Sequence, residues 1–447
     1  MINLLNDYSP ISRDFHQSLV KAGFSYPTFV CQDDGFLPDD VQSIYQIWLN
    51  KPQDGEPLYF NELAVPEYWV ISATSQSGEI TDYHKKRGHI HFAKTSESRI
   101  VERVDWLDEQ GNVRWIDGYN KQGVRYKQIV LTKDQRMVTT TYFDNNGCEK
   151  IIYNHHTKTF MLMEESGIQT FQTEADFILY TLQAHGVDLS YIIYNTLAMP
   201  FLVVLHSQET KGSTLIWQED TRDEIPGNMQ LILNGSTSTK QIIVTDKIYA
   251  DHLKTLVSSD CDIPVYDLGY IYTFKKNDGF INEAIIATNS DQILHLEEIV
   301  QKLPQFKIHV VALTEMSAKL TNLDRYDNVQ LYPNASMQKI RSLYGKVGWL
   351  LDLNYGNEIV NAVRSAFDYQ MVIVSFDETT HNQKFMYPNL IFQRQQLDEM
   401  IQLLKMSIEN PEIHSKLLVS QKLAANSVTI SDYVDIFSKI EGFFDDK

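Results

Sequence analysis

LDLNYGNEIVNAV, residues 351–363, ends one pattern and begins another. WLLDL has the length and composition of a strand, the step Tyr355–Gly356 breaks it, and NEIVNAVRSAF then spaces its apolar residues as a helix does, from about Asn357. MVIVSF follows as a further short apolar run. Upstream, the same alternation runs through EAIIATN (283–289) with the periodic LHLEEIVQKL, then FKIHVVAL (306–313), NVQLYP and SMQKIRSLYG. Short β-rich runs separated by helix-length periodic segments predict a parallel sheet with helices on both faces. A Rossmann-like domain is expected over residues 266–425, followed by a final helix in 426–447 whose apolar side carries Phe437, Ile440 and Phe443–Phe444.

A second α/β unit is signalled by FLVVLH (201–206), read as a strand, STLIWQE (213–219), GNMQLILNG and QIIVTD (241–246). The helical SRDFHQSLVKAG joins it, so this domain is discontinuous, 1–49 and 170–265. Residues 50–169 have another texture, with short runs rich in Val, Ile, Tyr and Trp between regularly spaced turns. Asp108–Gly111, Asn120–Gly123 and Asp144–Gly147 each offer Asp or Asn early and Gly where positive φ is needed. An inserted antiparallel sheet follows. Trp106, Trp115, Tyr119, Tyr126 and Tyr142 fall on its strands. They serve either to stabilise the sheet or as a surface that receives an extended polypeptide.

Composition narrows the function. The 447 residues suffice for two or three compact units, and 39 Lys+Arg against 58 Asp+Glu give a formal charge of −19. Such a field disfavours non-specific binding to nucleic acid. Cys31, Cys148 and Cys261 are widely spaced without a CxxC, as suits free thiols in a reducing compartment. MINLLNDYSP lacks the basic and long apolar regions of an export signal, and no run of 18 apolar residues occurs. A cytoplasmic chain is expected.

Three long phrases sharpen the reading: MINLLNDYSPISRDFHQSLVKAGFSYPTFVCQDDGFLPDDV, LIWQEDTRDEIPGNMQLIL and LDLNYGNEIVNAVRSAFDY. They resemble the GtfB-type stabilising subunits of the bacterial enzymes that attach GlcNAc to serine-rich-repeat adhesins. The resemblance spans nearly the whole chain. It implies a GT-B fold of two Rossmann-like domains with an antiparallel β-sheet insertion in the N-terminal one, and a final helix, 426–447, that crosses back to the N-terminal domain. It also implies a helper that binds a catalytic GT-B subunit, in one or two copies of each, and engages the Ser/Thr-rich adhesin, with Trp106, Trp115, Tyr119, Tyr126 and Tyr142 as the candidate acceptor or partner surface. The accessory Sec export route and peripheral contact with the cell membrane belong to the same expectation.

The residues agree with a lost donor chemistry. A nucleotide-sugar site needs donors for its phosphates and support for the departing diphosphate. A glycine-rich turn before the first helix would supply backbone N–H groups, but LLNDYSPISRDF has no Gly and places Asp7 there. Active relatives carry an Arg and a Lys after the first C-terminal strand; here Asp291 and His295 stand at about those positions. They also carry two Glu residues eight positions apart. Placing Tyr355–Gly356 at the aromatic-glycine step puts Asn361 at the second and Leu353 near the first. Asn357 and Glu358 follow the step, with Glu358 out of register and suited to the first turn of a helix. His206 resembles the histidine that faces the sugar in active relatives, or is a locally bonded strand-end residue.

No catalytic residue, cofactor or metal is therefore expected. His89 and His91 share a strand face, but no third ligand is evident. Lys85, Lys86 and Arg87 form the densest basic run, read as a solvated hairpin tip or a weak lipid contact. Two alternatives stand beside the helper: a self-sufficient retaining glycosyltransferase using UDP-GlcNAc, and a remnant pocket that holds GlcNAc already on the acceptor.

Overall fold

A computed structural model describes residues 1–49, 55–74, 76–93, 99–219, 224–258 and 260–445, with side chains to residue 440. The expected start of the insertion at residue 50 and the side chains of Phe443 and Phe444 lie outside these. The chain forms two compact units, Met1–Asp267 and Leu268–Lys447.

The first unit begins with β1 (Ile2–Leu5), α1 (Pro10–Lys21), β2 (Thr28–Val30) and β3 (Val41–Ser43). Ten strands follow, from β4 (Val70–Ala73) to β13 (Gly167–Phe171), paired in one antiparallel sheet in strict chain order. Its turns are those the sequence predicts: Gly111, Gly123 and Gly147 all have positive φ, and their N–H groups bond to the carbonyls of Asp108, Asn120 and Asp144. The Asp108 carboxylate accepts from the Gln110 and Asn112 N–H groups, which pins the turn.

The chain then returns through α2 (Glu174–Ala184), β14 (Tyr191–Tyr194), α3 (Met199–His206), β15 (Gly212–Trp217), α4 (Gly227–Leu233), β16 (Thr239–Val244), α5 (Lys247–Leu256) and β17 (Val265–Asp267). The resulting parallel sheet has the order β17-β16-β15-β14-β1-β2-β3. FLVVLH is thus a helix and not the strand expected of it. Pro200 starts that helix, the neighbouring strand is YIIY, and a short apolar run does not by itself distinguish the two.

One core joins the sheets of this unit. Ile2, Leu4, Phe29 and Ile192 from the parallel sheet share it with Tyr126, Tyr142, Ile151 and Phe160 from the antiparallel one. The joint is fixed from the loop after β2, which contains DDGFLPDD. Asp33 O accepts from Tyr126 Oη (3.0 Å) and Lys127 Nζ (3.1 Å), and Gly35 O accepts the Lys121 N–H (2.9 Å). Gly35 lies so close to the hairpin between β8 (Val113–Tyr119) and β9 (Arg125–Leu131) that a Cβ would sit 2.6 Å from Tyr119 O.

The second unit holds β18 (Phe280–Ala287), α6 (Leu296–Lys302), β19 (Lys307–Val311), α7 (Ala318–Thr321), β20 (Val329–Tyr332), α8 (Met337–Tyr344), β21 (Val347–Asp352), α9 (Ala362–Asp368), β22 (Val372–Phe376), β23 (Ile391–Phe392), α10 (Leu397–Glu409), α11 (Pro411–Ala424) and α12 (Ile430–Asp445). Its six strands are all parallel, in the order β20-β19-β18-β21-β22-β23. Near-continuous burial along β21 and β22 matches a sheet covered on both faces. In α12, Phe437 and Ile440 are buried, and Tyr433 Oη donates to Gly269 O.

Candidate functional site

In each parallel sheet the strand order reverses once, beside β1 in the first unit and beside β18 in the second. Ligands of open α/β sheets bind at such a reversal, outside the carboxyl ends of the strands. In the second unit the relevant loops follow β18 and β21, and they are bonded to each other. Thr288 Oγ1 lies 2.9 Å from Asn354 Oδ1, and Asn354 Nδ2 donates to Asn289 Oδ1 at 3.3 Å. Leu294 N–H bonds to Leu353 O and Tyr355 N–H to Gln292 O, forming an antiparallel bridge at Ile293 and Asn354. A Cβ on Gly356 would fall 2.1 Å from Asn289 Oδ1. Glycine is used here for close approach, and the thing approached is the protein's own side chain.

The residues singled out from the sequence are brought to these loops but are engaged locally. Asp291 accepts from Ser317 Oγ (3.0 Å). His295, with φ of 53°, sets Nδ1 2.7 Å from Glu298 Oε1 and Nε2 3.1 Å from Arg394 O. Tyr355 is 42% exposed, and its hydroxyl donates to Glu378. Asn357 O lies 3.4 Å from Asn354 Nδ2.

The helix expected near Asn357 starts at Ala362, because Val360 and Asn361 both take positive φ (51° and 48°). Glu358 is therefore not in a first helical turn. It still meets the helix end from outside, accepting the Val363 N–H at 2.8 Å, while burial pushes its carboxyl above the usual range.

At the centre of this loop is a pair that sequence reasoning missed. His381, in the loop after β22, has Nδ1 2.7 Å from Asp352 Oδ1 and Nε2 2.7 Å from Gly356 O, and its backbone N–H bonds to Asp352 Oδ2. The Asp352 hydrogen bond outweighs burial and pushes the imidazole up to about 9. Asp352 and Asn354 stand inside the stretch that opened the reading, but nothing in DETTHNQKF signals that His381 lies 29 positions on from its partner.

The first unit repeats the arrangement. Asn195, just after β14, accepts the Asn6 N–H (2.8 Å) and donates to Ser12 Oγ and Gln218 Oε1. Asp7 accepts the Ser9 N–H and a bond from Asn6 Nδ2. His206, at the end of α3, lies 3.7 Å from Asp176 on the surface.

The expected aromatic surface is largely core. Tyr126 and Tyr142 are 2% and 8% exposed and Trp106 is 9%, its Nε1 donating to Asp117. Tyr126 and Tyr142 are covered by the core shared with the parallel sheet, and Trp106 packs in a separate cluster with Ile80, Ile90 and Val104. Trp115 is 39% exposed, stacked against Trp106, and Tyr119 is half-buried. His89 and His91 do share a face, but among the described residues no group of three or more His, Cys, Asp or Glu could hold a metal ion. Lys86 and Arg87 pair with Glu79 and Asp82 across the hairpin. No helix among the described residues is long and apolar enough to cross a membrane.

Two parallel α/β sheets with an antiparallel insertion in the first define a glycosyltransferase-related protein of the GT-B type. Family models for the GtfB N-terminal, middle and third domains match residues 2–48, 69–172 and 174–256, and one for the GftB/GlyA-F C-terminal domain matches 284–421. The chain is 37% identical to the peptide N-acetylglucosaminyltransferase stabilizing protein GtfB of Streptococcus pneumoniae, covering 99% of this chain and 100% of the relative. It is 36% identical to that of Streptococcus gordonii, over 99% of each. The chain belongs to the GtfB family. A chain in the crystal structure of a GtfA/B complex bound to UDP and GlcNAc has 36% identity and a TM-score of 0.93, over 98% of this chain and 99% of that one. The pneumococcal O-GlcNAc transferase GtfA shares the fold at 11% identity and a TM-score of 0.53, over 98% of both chains.

Proposed function

We propose that the chain is the non-catalytic stabilising subunit of a protein O-GlcNAc transferase, binding a catalytic GT-B subunit and presenting to it a Ser/Thr-rich adhesin polypeptide. The observation that carries this reading is the bonded crevice of the second unit, where Thr288, Asn289, Asn354 and Gly356 meet one another at the reversal of the sheet. The His381 ring directs both nitrogens to protein acceptors and leaves neither for a departing anion. Whole-length identity to stabilizing proteins supports the same role. Trp115, with the half-buried Tyr119 further along the same strand, is the part of the aromatic sheet left for the acceptor or the partner. The work is done in the cytoplasm, with membrane contact arising at its inner face before the adhesin is exported by the accessory Sec route.

The test is GlcNAc transfer from UDP-GlcNAc to a serine-rich polypeptide by this chain, by a catalytic homologue, and by the two mixed. Activity confined to, or strongly raised in, the mixture is expected. Transfer by this chain alone, abolished by substitutions in its own crevice, would overturn the proposal in favour of a self-sufficient transferase.

A further inference from the structure

The loop of residues 353–361 contains two consecutive positive-φ residues, one of them the β-branched Val360. Such a backbone persists only where its surroundings hold it. Glu358 ties its far end to Val363, and His381 ties its near end.

The chemistry of the second tie is restrictive. Gly356 O is a carbonyl and can only accept, while Asp352 takes the His381 backbone N–H on Oδ2 and faces the ring with Oδ1. A neutral imidazole has one N–H and can donate to one such acceptor; the imidazolium donates to both. The groups around it are Asp352 from the end of β21 and Glu358 from the loop, with Tyr344 of α8 reaching the field of both carboxylates. On the loop's outer side Tyr355 is bonded to Glu378, which also pairs with Arg394. The charge nearest the ring is thus negative.

We propose that His381, in its protonated form, is a latch that holds the 353–361 loop across the carboxyl ends of β18 and β21. Protonated, it joins the end of β21, the loop and the segment after β22 through one ring. Deprotonated, it keeps only one of its two ring bonds, Gly356 is no longer held against Asn289, and the strained loop relaxes. The closed crevice is therefore a charge-dependent state, and this holds whether or not the chain assists a transferase.

The experiment is a pH titration of the full chain with histidine labelled at Cε1, followed by NMR, the His381 signal being assigned by its loss in His381→Gln. A midpoint near 9 is expected, against 6.5 for a free ring, and Asp352→Asn should bring it down by more than one pH unit. Amide exchange at pH 7 should rise at least tenfold across 353–361 in His381→Gln, with β19 and β20 unchanged. A wild-type midpoint near 6.5, or unaltered exchange in that loop, overturns the latch. Should either substitution fail to fold, the midpoint is read in the wild type, its signal assigned by proximity to Gly356.

Discussion

The phenol rings of Tyr45 and Tyr142 lie face to face, with centroids 4.4 Å apart and planes 4° from parallel. Tyr45 follows β3 of the parallel sheet and Tyr142 lies in β10 (Met137–Phe143) of the antiparallel one, so this stack is a rivet between them. Phe177 of α2 extends it on the Tyr45 side at 5.7 Å. Replacing Tyr142 with Ala should cost about 3–5 kcal/mol by the usual penalty for emptying an aromatic core site. Tyr142→Phe keeps the ring and should stay within about 1.5 kcal/mol of the parent. Urea unfolding of the three proteins decides it.

The loop that carries DDGFLPDD is a spacer whose thickness is set by Gly35. With φ of 88° and Tyr119 O only 2.6 Å from any Cβ, Gly35→Ala meets both a conformational and a steric barrier. A loss of about 2 kcal/mol or more is expected, with faster amide exchange in residues 119–127 before any change in the second unit. Equal exchange in both units would show that the contact does not position the hairpin.

Glu174 supplies the pH-dependent case. Tyr45 Oη donates to its carboxylate, yet burial pushes that carboxyl above its ordinary 4.5. A carboxyl raised on folding binds its proton more tightly in the folded state, so its contribution to stability is greatest in acid and falls as pH rises from 4.5 through the folded value. Glu174→Gln keeps an acceptor for Tyr45 and removes the charge. Its stability relative to the parent should therefore increase from pH 4 to pH 7 and level off beyond, measured by thermal unfolding in low-salt buffer. A constant difference across that range would mean that the charge is not the cost.

Trp115 separates surface from core on one sheet. Trp115→Ala should lower binding of a serine-rich polypeptide several-fold while leaving the unfolding midpoint within about 2 °C, as expected for a half-exposed side chain. Tyr126→Ala, whose ring is 2% exposed, should instead destabilise the whole first unit. Fluorescence anisotropy of a labelled peptide, read beside calorimetry, distinguishes the two.

Local signals were the legible ones. The Asp-x-x-Gly and Asn-x-x-Gly turns, the strand WLLDL and the alternation after residue 283 stand in the structure where the letters place them. Errors came where tertiary context decides. FLVVLH is apolar enough for either a strand or a helix, and only its place after YIIY makes it a helix. NEIVNAVRSAF begins its helix five residues late because His381 and Asn289 hold the preceding loop in another shape, and neither is near it in sequence. The lack of Gly in LLNDYSPISRDF could be read from the chain; the bonding of the crevice loops to one another could not, since Asn354, Thr288 and His381 carry no motif.

The bonded reversals beside β1 and β18 also bear on how the chain behaves among metabolites. A transferase with an open pocket gains stability in proportion to the logarithm of donor concentration and so hardens and softens with nutrient supply. Here the equivalent bonds are intramolecular, made by Asn195 in one unit and Asn354 in the other, and present at unit effective occupancy. On the proposed reading, the stability of the folded chain should therefore stay the same whether UDP-GlcNAc is scarce or abundant, which thermal unfolding with and without the nucleotide sugar checks.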